Sequence, residues 1–477
     1  MGRMGELGAI RPSGARRAHP GRTIWLIAAV ATLLYTLIAI GGLQYQRFGM
    51  DLGIFDQALQ AYSRGLPPYI PIKAQVPFNI LGDHFSPIII LLAPLYRLFP
   101  SALTLMLAQA FLVGASVGIV GAYARKRGLG AAAYAIEAGF ALSYGVLSAV
   151  TFDFHEIAFG LPLLLWALWA LLDRHTVQLI LACAALCLVK EDMPLYIAGI
   201  ALVLFFTGRR LFGLILGAAS VAVTLLLVLV IIPAFSYWGH YTYIGTGARG
   251  LQSAGGMALA LLSHLVSWQG ITFLLTILFT AGLGLRSTVM LVMLPTVVFR
   301  FMAHDSVYLG FHFQYGVLLA AVAFVALIDA WGRYEGWRGR TAAYWQRWQK
   351  RLLVAGAVMG LALSESFMPV YGLVGAGQMT ADRTAAAAAI PDGANVAADV
   401  YLVDTIVDRT VVQVAYPSWT DETGAPIESP WVLLDLETRG YHNRQAPWAE
   451  ALLTRLTTDE GYQVVERVGR YVVLHRE

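Results

Sequence analysis

Six stretches of this 477-residue chain hold side chains able to move protons or hold anions. Met50–Gln57 supplies Asp51 and Asp56. A carboxylate set near an apolar wall has its pKa raised, which suits a general base. Leu81–Pro87 supplies Asp83 and His84, a pair able to hold a divalent metal, a phosphate or a sugar hydroxyl. In Phe152–Glu156, Asp153, His155 and Glu156 alternate with aromatic rings, as on a ledge where sugars stack. Lys190 precedes Glu191, Asp192 and Pro194, and its ammonium could hold a phosphate as a point charge. The loop 236–250 mixes glycines with Tyr237, Trp238, His240, Tyr241, Tyr243 and Arg249, a composition suited to a lid over a lipid or sugar. His304 and Asp305 form the sixth group, and the spacing of His304 and His312 is not that of a metal-binding helix. Each stretch also has a plainer reading. Asp51 and Asp83 could be helix caps, Asp56 a solvated polar-face residue, and Lys190-Glu191-Asp192 a self-neutralising set. The aromatic segments could be interfacial belts.

The elements that must carry these groups are membrane helices. Hydrophobic residues make up 58% of the chain and charged residues 13%, and the mean hydropathy is +0.64. A soluble domain carries about 25% charged residues. The apolar runs 23–41, 103–123, 131–150, 157–172, 177–189, 194–206, 211–233, 271–285, 289–301, 313–330 and 352–371 predict about eleven transmembrane helices. Ser86–Leu98 is apolar but short and proline-flanked, and reads as an interfacial helix. Arg11, Arg16, Arg17 and Arg22 precede the first run and place the N-terminus, residues 1–22, in the cytoplasm. With eleven spans, the six reactive stretches and the C-terminus share the outer side. Eight of the fourteen acids in residues 1–377 fall at these outer ends. Ionisable groups at membrane depth are costly and gather around cavities or one another, so a single shared outer site is expected.

Residues 378–477 carry fifteen acids against eight bases, whereas residues 1–377 carry fourteen against twenty-five. Strands are predicted at 395–400, 410–415, 431–435, 463–466 and 470–475, with a helix at 448–457. A transmembrane region over 23–371 is therefore followed by a small extracytoplasmic α/β domain over 372–477. The bases are too scattered to form a nucleic-acid stripe. Cys183 and Cys187, four apart in one apolar run, are packing residues and make no disulfide scaffold.

Met50-Asp51-Leu52-Gly53-Ile54-Phe55-Asp56-Gln57, Gly82-Asp83-His84-Phe85-Ser86-Pro87, Phe152-Asp153-Phe154-His155-Glu156 and Lys190-Glu191-Asp192-Met193-Pro194 together resemble a bacterial family of polytopic proteins. That family is defined by a domain of unknown function and grouped with the GT-C superfamily. Gly65-Leu66-Pro67-Pro68-Tyr69 is also similar to the first outer loop of members that use polyprenyl-phosphate-mannose. The resemblance covers about residues 24–370. It implies a GT-C-like fold in the bacterial plasma membrane, and an inverting glycosyltransferase that uses a polyprenyl-phosphate-linked sugar. The acceptor would be an envelope glycan, lipid or protein at the outer face. By the same resemblance Asp51 takes the position of the general base, with Asp56 second. Asp83-His84 takes a motif that serves acceptor, metal or donor phosphate. Lys190, Arg249, Arg300 and His84 are the candidate cations for the leaving phosphate. No cofactor is required with certainty, and a divalent metal at Asp83 and His84 stays open. A transporter or flippase of a lipid-linked glycan, or a non-catalytic scaffold, are the competing expectations.

Overall fold

The computed structural model describes residues 20–46, 48–243, 262–264, 266–302, 313–335, 340–364, 368–437 and 448–477. Helix α1, Pro20–Gln44, begins the fold. Its Ile24, Ala28, Ala31, Tyr35 and Ala39 form a buried stripe at three- and four-residue spacing, while Trp25, Leu26 and Leu33 face outward. A shorter helix α2, Met50–Ser63, follows. Then come a 3₁₀ turn Pro87–Leu92 leading into α3, Ala93–Leu98, and a long apolar helix α4, Ala102–Lys126.

Among the described residues, helix covers most of each of the eleven apolar runs. Among the described residues four helices are long and apolar enough to cross a membrane: Gly21–Gln44, Ala102–Lys126, Arg210–Phe235 and Phe313–Trp331. A fifth arises if Ala132–Ala141 and Tyr144–Val150, bent by 44°, count as one span. The remaining apolar helices, such as Thr176–Leu186 and Met193–Phe206, are shorter than the roughly 20 residues of a straight crossing. Phe313–Trp331 is the central element, and nearly every side chain from Val317 to Trp331 is buried.

The C-terminal strands match the sequence reading closely: β1 Asn395–Ala398, β2 Val411–Val414, β3 Trp431–Asp435, β4 Gln463–Val468 and β5 Tyr471–His475. They form one sheet in the order β2-β1-β3-β5-β4. β1 pairs parallel to β2 and β3, and β5 pairs antiparallel to β3 and β4. Successive side chains alternate between the faces. Val396, Ala398, Leu433 and Val473 join the core that runs into the helical region. Ala397, Val432, Leu434 and Leu474 pack instead with Leu452 and Leu456 of the helix Trp448–Thr458. One sheet face is thus shared with the helices.

The contact is specific. Gln57 of α2 donates to the Val412 carbonyl (2.8 Å) and accepts from the Ile72 amide (2.8 Å). The Val414 amide donates to the Ile72 carbonyl, which sets Ile72 against the edge of β2. Gly53 makes this docking possible: a Cβ there would lie 2.4 Å from Val403 Cγ1 and 2.5 Å from Ile72 Cδ1.

Candidate active site

The site gathers at the N-terminal end of α2. Gly49 occupies the cap position without a side chain to satisfy the free amides. Asp153 does so from 100 residues away, accepting from Gly49 N (3.1 Å) and Leu52 N (3.0 Å). Asp51 is therefore not the cap. It sits in the first turn with its Oδ2 3.4 Å from His155 Nε2.

Gln109 of α4 sets this geometry. Its amide donates to the Ala149 carbonyl and accepts from the His155 amide, each at 3.0 Å. His155 Nδ1 donates to the Asp153 carbonyl (3.0 Å), which turns Nε2 toward Asp51. Burial works against charge on both partners, yet the hydrogen bond and Coulombic attraction between them lower Asp51 and raise His155. Each favours the charged form of the other. Burial, reinforced by the Asp51 charge, pushes Asp153 up to about 7.

A second group lies beside it. Asp83 pairs with Lys73 (2.7 Å) and accepts from the Tyr243 hydroxyl (3.0 Å). Glu191 accepts from His84 (2.7 Å), from the Phe85 amide and from the Tyr241 hydroxyl. Burial would raise Glu191, but the His84 charge and hydrogen bond, with Lys190, bring it down to about 2. The His84 ring stacks on Tyr243 at 4.6 Å. The chain that carries the two tyrosines can approach because residue 82 is glycine: a Cβ would lie 2.4 Å from the backbone of Phe235 and Ser236.

A third group is Lys190 with Glu156, at 2.8 Å. Beside Lys190 is a small cavity lined by Asp192, Arg300, Gln314 and Tyr315. The ion pair of Lys190 is thus made outside its own run, although the charges of Glu191 and Asp192 also act on it. Lys190 crosses to Glu156, and Glu191 turns to His84 and Tyr241.

These groups lie near one another, since Lys73 and Lys190 as well as His155 lower Asp51. Openness separates their roles. Asp51 is 32% exposed and His84 30%, against 6% for Asp83, 5% for Glu191 and 1% for Glu156. Asp51 and His84 are thus paired yet still partly exposed, while the others are paired and sealed. Both Asp83 oxygens are engaged, and His84 turns to Glu191. Among the described residues no three His, Cys, Asp or Glu side chains gather as a metal site.

Asp56 lies apart. It is buried, hydrogen-bonded to the Tyr96 hydroxyl (2.6 Å), and pushed up to about 7 by burial. Five helical positions turn it about 140° away from Asp51. Nor do the aromatics of 152–156 form a ledge. Phe154 is buried edge-on against Phe55, while Phe152 stacks on His155 and meets Phe313. Arg249, His304 and Asp305 lie outside the described residues.

Sequence reasoning missed Lys73, Gln109 and Glu422. Gln109 carried a signal, being an amide inside an apolar helix. Glu422 carried none. It belongs to the C-terminal unit, yet its carboxylate lies 3.5 Å from Lys73 Nζ and its amide donates to the Lys73 carbonyl (3.1 Å).

The profile of a family described as "Predicted membrane protein (DUF2079)" matches residues 43–473. No curated protein matches the chain. Among solved structures, the fold is similar to that of ArnT from Cupriavidus metallidurans in the apo state. The TM-score is 0.52 and the identity 14%, over 95% of this chain and 97% of that one. At that identity the likeness is one of fold.

Proposed function

The chain belongs to the DUF2079 family of predicted membrane proteins, and from that premise we propose that it is an inverting glycosyltransferase of the GT-C type, acting at the outer face of the plasma membrane on a polyprenyl-phosphate-linked sugar. ArnT, whose fold it resembles, is a GT-C glycosyltransferase. The observation that carries the reading is the partly open carboxylate of Asp51, beside His155 and lowered also by Lys73 and Lys190 from two further chain segments.

In the proposed reaction an acceptor hydroxyl oxygen bonds to the anomeric carbon. The bond from that carbon to the phosphate oxygen breaks, polyprenyl phosphate leaves, and Asp51 takes the hydroxyl proton. Such general-base help contributes on the order of 10²–10⁴-fold. His155 keeps Asp51 deprotonated and oriented, and Gln109 fixes His155. His84 and Lys190 are the cations at hand for charge developing on the departing phosphate. The donor enters sideways from the bilayer. The acceptor is a glycan, lipid or protein of the envelope. The eleven-span arrangement belongs to the same reading, with residues 1–22 in the cytoplasm, 23–371 in the membrane and 372–477 outside.

The test is turnover of a labelled polyprenyl-phosphate sugar by the full chain in proteoliposomes. Asp51→Asn should insert and elute as wild type while release of polyprenyl phosphate ceases. Wild-type turnover in that variant would remove Asp51 from the base role. Movement of the labelled lipid across the bilayer without cleavage would favour a transporter instead.

A further inference from the structure

We propose that a second site, at the far end of α2, holds the headgroup of a zwitterionic aminophospholipid, its phosphate between Arg64 and Arg97 and its ammonium at Asp408. This inference does not rest on the proposed transferase activity. A cleft of about 600 Å³ opens there between the last turn of α2, α3 and the segment that leads into β2. Arg64 lies some thirteen residues from Asp51, about 20 Å along the helix at 1.5 Å per residue, so the cleft is distinct from the site above.

Three features assign the occupant. The first is the cations. Arg64 and Arg97 line the cleft and are exposed. Among the described residues no ion pair ties either guanidinium to an acid, whereas nearby Arg409 is held by Asp392 at 3.0 Å. A guanidinium fork matches phosphate oxygens in a bidentate way. The second is the apolar surface close by in the chain. Leu98 (72%) and Phe99 (63%) follow Arg97, Leu66 (54%) follows Arg64 by two residues, and Leu91 (66%) lies in the turn before the Arg97 helix, all of them exposed. An apolar surface beside arginines places the cleft at the depth where lipid phosphates lie. The third is the acid. Asp408 stands in the same cleft, fixed because its carbonyl accepts from the Gln60 amide (3.3 Å). A carboxylate there repels a free phosphate or a purely anionic headgroup and attracts an ammonium. A headgroup bearing both signs satisfies all three side chains.

The experiment is native mass spectrometry of the detergent-purified full chain, titrated with phosphatidylethanolamine, phosphatidylglycerol or inorganic phosphate. Wild type should retain phosphatidylethanolamine in preference to both others. Arg64→Ala/Arg97→Ala should weaken that retention at least tenfold, and Arg64→Lys/Arg97→Lys should restore most of it. Asp408→Asn should weaken phosphatidylethanolamine several-fold while leaving phosphatidylglycerol unchanged or stronger. Unaltered elution and Tm of the variants would confirm that they fold. Undiminished phosphatidylethanolamine in the double alanine variant overturns the site. Preference for phosphatidylglycerol or free phosphate in wild type overturns the zwitterionic assignment.

Discussion

Asp51 and Asp56 stand five residues apart on one helix under opposite conditions. Asp51 is a third open, faces His155 and is held below its ordinary pKa. Asp56 is sealed, its first oxygen taken by Tyr96 and its second without a hydrogen-bond partner. Burial pushes it up to about 7, against the Tyr96 hydrogen bond and with help from the Asp408 charge. The side chains are identical, so the partner each meets and its access to water decide what each can do. A carboxylate that is charged and open can take a proton from a substrate. One that is sealed and keeps its proton up to about pH 7 belongs to the packing.

The largest test of this contrast is the pair of amide variants. Asp51→Asn should lower turnover of a polyprenyl-phosphate sugar by about 10²-fold or more. Asp56→Asn should leave it within a few-fold, and equal losses in both would erase the distinction. Next comes the ion network behind Asp51. Lys73→Ala strips the partner from buried Asp83, and also from exposed Glu422, and should cost about 3–5 kcal/mol in denaturant unfolding. Lys73→Met/Asp83→Leu, which removes both charges, should recover much of that loss.

The pH dependence of stability should share its sign at these two groups but fall in different pH windows. Asp56 binds its proton more tightly folded than unfolded, so stability falls as pH rises from the unfolded carboxyl value, about 4, through about 7. Asp56→Asn should flatten that part of the Tm–pH curve. His155 is raised by Asp51, so its ion pair stabilises fully below the unfolded imidazole value, about 6.5, and is lost as pH climbs through the raised folded value. His155→Gln should remove that alkaline loss. The smallest effect is at the joint between α2 and the sheet. Gln57→Ala leaves the Val412 carbonyl and the Ile72 amide unpaired and should cost about 1–3 kcal/mol.

Much of the architecture is legible in the chain because it rests on local patterns. Apolar runs in which charges are scarce become helices, and the alternation in 395–400 and 431–435 becomes buried strands, because burial acts on each segment's own periodicity. The segments that carry the site are legible too, because charges are scarce in an apolar chain and those retained there are retained for one another. Partner choice is not legible. Asp153 caps α2 over 100 residues, His84 meets Glu191 over 107, and Glu422 reaches Lys73 from the C-terminal sheet. The local rule of a helix cap pointed to Asp51, and a distant aspartate took the place.

The sequence by itself determined that this is an apolar helical chain with a compact α/β unit at its end, and which acids and histidines stand at the helix ends. Only the tertiary structure decided that Asp51 stays open while Asp56 is sealed, that Lys190 turns to Glu156 rather than to its neighbours, and that the C-terminal unit supplies Glu422. The reason is the range of the forces involved. Burial and backbone periodicity act within a few residues. Ionic attraction depends on distance and dielectric, and both are set only when remote segments pack together.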